Sequence, residues 1–111
     1  MKFKHEAISK ILKVLKKCKF TAKTIELIVY EGNYMILKIK SRRKLCGEKE
    51  FKIIEDNINK VLKKIEYTVD LSASDELLFV EIHSVNFDSF IISDFIANAS
   101  KKRFTIADFV V

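Results

Sequence analysis

The feature that most constrains this chain is an apolar pattern that occurs twice, 47 residues apart. The pentapeptide Lys-Val-Leu-Lys-Lys begins at Lys13 and again at Lys60. The surrounding apolar series are Ala7, Ile11, Val14, Leu15 and Cys18, and then Ile54, Ile58, Val61, Leu62 and Ile65. Their spacings place each series on one face of an α-helix. They predict two amphipathic helices, at about residues 5–19 and 48–64, and one supersecondary unit used twice.

Alternating apolar residues on both sides of Glu31-Gly32-Asn33 predict a β-hairpin between these helices, with strands at residues 24–30 and 34–41. A three-residue loop gives the pairs Tyr30 with Tyr34, Val29 with Met35, Leu27 with Leu37, Glu26 with Lys38 and Ile25 with Ile39. A two-residue loop would instead set Leu27 opposite Lys38 and mix the apolar and polar faces. The longer loop, with Asn33 in the left-handed position, is therefore predicted.

A second alternating segment follows the second helix. Its inward side chains are Ile65, Tyr67, Val69 and Leu71, and, after a turn at residues 72–76, Leu78, Val80 and Ile82 in a strand at residues 77–85. The chain is therefore predicted to be a single α+β domain, residues 1–111, with two αββ units at about 5–41 and 48–85. An antiparallel sheet of four or five strands would carry both helices on one face.

The last part of the chain is predicted to form a third helix, at residues 86–100, followed by an apolar tail. The helix is apolar on nearly two faces, so it would cover the second face of the sheet or enter a dimer interface. A strand at residues 89–93 is the alternative, and residues 104–111 would form a short strand or an interface tail. The side chains predicted at the interface are Tyr30, Tyr34, Phe87, Phe90 and Phe95.

The predicted order of helix, two strands, helix, further strands and helix resembles that of roadblock dimerisation domains. A circularly shifted version of this order resembles that of ferredoxin-type domains. Both resemblances rest on element order without a shared motif. They imply an α+β sheet and transfer no function.

Charge is distributed unevenly along the chain, whose formal net charge is +6. Residues 1–66 contain 18 basic and 8 acidic side chains, whereas residues 67–100 contain 6 acidic side chains and no Lys or Arg. Residues 101–111 return to +2. This asymmetry favours a polyanion or a protein of complementary charge as the partner.

Two groups of basic residues are candidate contacts for nucleic acid. Arg42, Arg43 and Lys44 precede the second helix, where arginine can bind phosphate in a bidentate way, although Glu48 and Glu50 would compete with an anion. The second group lies opposite the apolar stripes and comprises Lys10, Lys13, Lys17, Lys60, Lys63 and Lys64. If both helices lie on one face of the sheet, these lysines share one outer surface. The leading hypothesis is a small non-enzymatic basic protein that binds nucleic acid or a nucleoprotein.

Two other classes of protein stay open. One is a protein–protein adaptor or homodimer, in which the acidic segment 67–100 meets a basic surface of a partner or of a second copy. The predicted interface aromatics would be buried at that contact. The other is a metal-dependent nuclease that uses Asp75, Glu81 and His83, because acid-x-His on a strand places both groups on one face.

No other motif indicates a cofactor or a catalytic group. Cys18 and Cys46 lack the spacing of a zinc or disulfide framework, and Cys46 has no adjacent histidine or acid to complete a nucleophilic pair. The isolated glycines exclude a nucleotide-binding loop, and His5 is expected at the surface. The lack of a secretion signal or membrane-length apolar segment predicts a soluble cytoplasmic protein.

Overall fold

The computed structural model describes residues 5–30, 34–45, 47–84 and 103–111. They form helix α1 (Glu6–Lys17), strands β1 (Ala22–Tyr30) and β2 (Tyr34–Ser41), helix α2 (Glu48–Lys63), strands β3 (Tyr67–Ser74), β4 (Leu77–Ser84) and β5 (Arg103–Phe104), and a 3₁₀ turn (Ile106–Asp108). The predicted α+β class and the two αββ units are confirmed. The predicted C-terminal helix, with Phe87, Phe90 and Phe95, lies outside the described residues.

The five strands form one antiparallel sheet in the order β3-β4-β2-β1-β5. The two hairpins join through β2 and β4 at the centre, where Leu37 lies opposite Val80. Strand β5 adds to the edge of β1, with Phe104 opposite Ile25. The order αββαββ is the ferredoxin-type order βαββαβ with one strand moved from the start to the end.

The first hairpin has the predicted register. All five predicted cross-strand pairs are present, beginning with Tyr30 opposite Tyr34, so the connection has three residues. Pairing also extends beyond the predicted strand, to Ala22. The register shifts between Ala22 and Thr24, which makes Lys23 the extra residue of a β-bulge.

The second hairpin has a shorter turn than predicted. Ser74 pairs with Leu77, so Asp75-Glu76 alone connects the strands, and the prediction of a turn at residues 72–76 is wrong. Asp75 has a φ of 50°, and tight hairpin turns require positive φ at their first central residue.

Both helices pack on the same face of the sheet, as predicted. Alternate residues of the central strands are buried and join the apolar stripes of α1 and α2 in one core cluster. The equivalent residues Ile11 and Ile58 are both 0% exposed. The C-terminal segment closes one side of this core, where the buried rings of Phe104 and Phe109 meet edge to face, with centroids 5.7 Å apart.

The contacts at the helix ends show that α1 and α2 run in opposite directions. Arg43, in the loop before α2, bonds both the carbonyl oxygen of Lys19, just past the end of α1, and the carboxylate of Glu50, in the first turn of α2. Conversely, the ring of Tyr67, just past the end of α2, lies 6.0 Å from that of His5, which precedes α1. The C-terminal end of each helix therefore lies beside the N-terminal end of the other.

The expectation that His5 lies at the surface is wrong. His5 is the N-cap of α1 and is only 7% exposed. Its Nδ1 accepts a hydrogen bond from the N–H of Ile8 at 3.5 Å. The side chain thus takes the role usually filled by Ser, Thr, Asp or Asn, which a search for those residue types does not find.

Candidate functional site

Several chain segments meet at one corner of the molecule, where α1 ends, β1 begins and β2 passes into the loop before α2. The N–H of Arg42 donates to the carbonyl oxygen of Thr21 at 3.1 Å, and the N–H of Ser41 donates to that of Glu76 at 2.7 Å. The buried hydroxyl of Ser41 also accepts a hydrogen bond from the N–H of Arg43 at 3.1 Å. These bonds hold the loop against the start of β1 and against the β3–β4 turn.

This corner collects basic side chains from α1, β1, β2 and the loop. We define the basic corner as Lys17, Lys19, Lys23, Lys40, Arg42, Arg43 and Lys44. All of them are exposed except Arg43, which is partly buried. The acidic side chains nearest in the chain to these anchoring contacts are Glu26, Glu48, Glu50, Asp75 and Glu76. The basic corner therefore has seven cations against five anions and keeps a positive balance.

Arg43 is engaged within the protein. Its Nη1 donates to the carbonyl oxygen of Lys44 at 3.1 Å, and its Nη2 donates to that of Lys19 at 3.4 Å. Its guanidinium also forms an ion pair with Glu50, so the acidic first turn of α2 competes directly for this arginine. Arg42 and Lys44 make no ion pair with the rest of the described chain, and they are the exposed cations of the loop.

The lysines predicted on the two helices fall into separate groups. Lys17 belongs to the basic corner, and Lys13 is exposed one turn earlier on α1, whereas Lys10 is partly buried. The remaining three lie exposed at or just past the C-terminal end of α2, and we call them the far-end lysines: Lys60, Lys63 and Lys64. Because α2 has 16 residues and runs antiparallel to α1, the far-end lysines lie ~20 Å from the basic corner.

Within the part of the chain that the structure describes, no helix packs on the face of the sheet turned away from α1 and α2; we call it the open face, and it adjoins the basic corner. One cross-strand row places Lys40 between Thr24 and Leu77, and the next places Lys38 between Glu26 and Phe79. A concavity of about 520 Å³ is lined by Thr24, Lys40 and Leu77 of the first row and by Glu26 and Lys38 of the second. The basic side chains among its described lining residues are Lys23, Lys38, Lys40 and Arg103.

Ion pairing distinguishes these four cations. Arg103 donates from Nη2 to Oε1 of Glu26 at 2.8 Å and from Nε to the same oxygen at 3.1 Å. Lys23, Lys38 and Lys40 make no ion pair within residues 5–30, 34–45, 47–84 and 103–111. These three lysines are therefore available to an anionic ligand at the edge of the basic corner.

The structure does not bring together Asp75, Glu81 and His83, the side chains suggested as metal ligands. His83 Nε2 lies 3.2 Å from Oε1 of Glu81 and 3.7 Å from Oδ2 of Asp70. Leu77, where β4 begins, is already ~13 Å from Glu81 along the extended strand, and Asp75 lies in the turn beyond it. Among the described residues, no group of three or more His, Cys, Asp and Glu side chains could hold a metal ion.

Cys18 is a packing residue. It is partly buried against the core, and this burial, together with the negative charge of Glu50, raises the pKa of its thiol. A raised pKa disfavours the thiolate that nucleophilic chemistry requires. Cys46 lies outside the described residues.

The predicted interface lies largely beyond what the structure describes. Tyr30 and Tyr34 form the last backbone pair of the first hairpin, but their side chains are outside the description. The neighbouring row places Ile28, which is 44% exposed, opposite the partly buried Ile36. An apolar patch is thus present on the open face, at the end distant from the basic corner.

Some residues of the basic corner were not predicted as contacts. Lys40 lies two residues before Arg42, but neither it nor Lys19 nor Lys23 was named as a contact. The hairpin register contained the signal for Lys23, because pairing Ile25 with Ile39 brings the residues before Ile25 beside the end of β2. The position of Lys19 beside the loop depends on its contact with Arg43. No local sequence pattern predicts that contact.

None of the helices in the described residues is long and apolar enough to cross a membrane. The fold and the basic corner define a small α+β protein with an anchored cationic surface. No protein-family model matches the chain, and the search of curated proteins finds no match.

Proposed function

We propose that this protein is a small non-enzymatic binding protein that contacts nucleic acid, free or within a nucleoprotein, through its basic corner. The observation that carries this function is the convergence of cations from α1, β1, β2 and the following loop on one anchored surface. Such a surface binds a polyanion by neutralising phosphates and releasing their counterions. It needs no sequence-specific contact to do so.

The anchoring of the loop supports this function energetically. Arg42 and Lys44 project from a segment that is already fixed by bonds to Thr21 and Glu76, so binding does not have to order that segment. Arg42 can contact phosphate through two parallel N–H groups. Arg43 contributes indirectly, because it holds the loop in place.

The far-end lysines extend the surface only for a long ligand. A duplex that contacts both groups would have to cover ~20 Å, or roughly six base pairs at 3.4 Å per step. A shorter ligand would contact the basic corner alone. The two groups can therefore be tested separately.

The test is fluorescence anisotropy with labelled single-stranded DNA, RNA and duplex DNA across a salt series. Two variants, each lacking three cations, form a charge-matched pair. The corner variant carries Lys17→Ala, Arg42→Ala and Lys44→Ala, and the far-end variant carries Lys60→Ala, Lys63→Ala and Lys64→Ala. We expect the corner variant to lose at least tenfold in affinity and to show a salt slope shallower by ~2, because each lost phosphate contact removes ~0.7–0.9 from that slope. The absence of binding by the wild type at low salt would contradict the function.

A second candidate is the adaptor or homodimer. It is favoured by the exposed Ile28 on the open face and by the acids of β3 and β4 on the side of the sheet opposite β1. A second copy could cover this patch and place its basic corner against those acids. Light scattering after size exclusion should then show a mass that rises with concentration, and Ile28→Lys should return it to the monomer. A monomeric mass at every concentration would contradict self-association. The cytoplasmic location expected from the sequence stays a prediction.

A further inference from the structure

Phe79 lies on the open face at the centre of the sheet. Its neighbours on β4, Leu78 and Val80, are both 0% exposed on the helix side, so Phe79 points the other way. It is only partly buried there, and it lies directly opposite Lys38 of β2. An aromatic side chain beside a cation is the combination that binds a nucleotide, with the ring stacking on the base and the cation contacting the phosphate.

The residues around Phe79 continue this arrangement. The adjacent row pairs Leu77 with Lys40, and the bulged Lys23 lines the same concavity. The acids Asp75 and Glu76 also line it, and carboxylates accept hydrogen bonds from the amino groups of bases. The open face thus offers lysines for phosphates and acids for base edges within the concavity, and Phe79 for a base face beside Lys38.

The width of the sheet bears on which nucleic acid can bring its bases to Phe79. The four long strands, spaced ~4.8 Å apart, span ~14 Å between the outer backbones before any side chain is counted. The major groove of a duplex is only about 12 Å wide and admits one helix or a two-stranded ribbon. The open face is too wide to reach the base edges in that groove, whereas the splayed bases of a single strand can lie on it.

We infer that the open face binds single-stranded nucleic acid, with a base stacked on Phe79 and phosphates on Lys23, Lys38 and Lys40. The inference is a refinement that rests on the function proposed above, because the basic corner and the open face share Lys23 and Lys40. It assigns the preferred ligand class, which charge alone does not.

The decisive variant is Phe79→Leu, which keeps an apolar side chain and removes the ring. Anisotropy is measured with a labelled oligothymidylate of about 15 nucleotides and a duplex of the same length. We expect the Kd for the single strand to rise roughly five- to hundredfold, because one stacked base is lost, and the Kd for the duplex to stay unchanged. The control is Ile53→Ala, which trims an apolar side chain that is 51% exposed on α2 and should change neither Kd.

The same measurements separate the inference from the proposed function. If Phe79→Leu binds single strands as the wild type does while the corner variant loses affinity, the inference is overturned and the proposed function stands. If the wild type binds no polyanion at low salt, both are overturned.

Photocrosslinking provides a readout that does not depend on a folded variant. The wild-type protein is irradiated with an oligonucleotide that carries 5-iodouracil, and the crosslinked peptide is identified by mass spectrometry. Crosslinks in the peptide that contains residues 77–84 support the inference. Crosslinks confined to peptides of α1 and α2 would overturn it.

Discussion

Lys19 and Glu66 have the same left-handed backbone conformation at equivalent positions of the repeat. Their φ angles are 59° and 62°, and they lie 47 residues apart, as the two apolar stripes do. After α1, the N–H of Phe20 donates to the carbonyl oxygen of Leu15 at 2.9 Å, and the N–H of Lys19 donates to the carbonyl oxygen of Lys16 at 3.1 Å. This is the Schellman pattern of helix termination, in which glycine usually takes the left-handed position. The repeat is therefore one of backbone geometry as well as of side chains.

Glycine at either left-handed position should stabilise the protein. A side chain with a Cβ costs roughly 1 kcal/mol in this conformation, so we expect Lys19→Gly and Glu66→Gly each to raise the free energy of unfolding by about 0.5–1 kcal/mol. Urea denaturation followed by circular dichroism measures the change. Lys13→Gly, at an exposed site within α1, is the matched control and should lower the same quantity by about 1 kcal/mol. Destabilisation by all three substitutions would contradict the shared conformation.

Replacing Arg43 should destabilise the protein more than its position in a surface loop suggests. Arg43→Ala leaves Glu50, whose side chain is 18% exposed, without this ion-pair partner, and it removes a donor from the carbonyl oxygen of Lys19. We expect a loss of about 1–2 kcal/mol in the free energy of unfolding, discounted because the Arg43 side chain is 38% exposed. Arg43→Lys should lose an intermediate amount, because it keeps the charge without the planar fork.

The control for Arg43 is an ion pair on the exposed side of α2. Nζ of Lys52 lies 3.2 Å from Oδ1 of Asp56, and the Lys52 side chain is 66% exposed. Lys52→Ala should leave the denaturation midpoint essentially unchanged, since solvent screens such pairs. Equal midpoint shifts for the two alanine variants would show that Arg43 does not join the helices as described.

The two αββ units should unfold together, because their stripes enter one core cluster. Ile11→Ala and Ile58→Ala remove equivalent, fully buried side chains, and each should cost about 2–5 kcal/mol of unfolding free energy. Each variant should keep one transition, with the same midpoint by circular dichroism and by tyrosine fluorescence. Two separate transitions in either variant would contradict a single cooperative domain.

The thiol of Cys18 should react slowly at neutral pH. Its raised pKa comes first from burial and then from the negative charge of Glu50, so the thiolate forms only at higher pH than in a free cysteine. In a Cys46→Ser background, the alkylation rate plotted against pH should have a midpoint above that of a cysteine peptide. Glu50→Gln should lower that midpoint, and Glu55→Gln should not. A midpoint at or below that of the peptide would contradict the environment described.

Local sequence signals predicted the elements well where pattern and register agreed. The stripe around Ile11 and Ile58 defined both helices, and the pairing of Glu26 with Lys38 selected the loop length of the first hairpin. The second hairpin was predicted less well, because Ser72, Ala73 and Ser74 are weak strand formers. They belong to β3 because each pairs with a residue of β4.

Contacts between distant segments could not be predicted from local pattern. Nothing near Leu37 or Val80 indicates that β2 lies beside β4, and this pairing sets the order of the whole sheet. The antiparallel arrangement of the helices, which separates Lys17 from Lys64, follows from that packing. The basic corner was therefore visible in the sequence only in part, through Lys17 and the loop at Arg42.

The most direct test of the account is to map the bound ligand on the protein by nuclear magnetic resonance. An oligothymidylate of about 15 nucleotides is titrated into ¹⁵N-labelled protein, and the amide shifts are followed residue by residue. We expect the largest changes at residues 17–23 and 38–44 and at Phe79, with little change at the far-end lysines. Changes centred on Lys60, Lys63 and Lys64, or no changes at low salt, would contradict the claim that the basic corner is the site of polyanion binding.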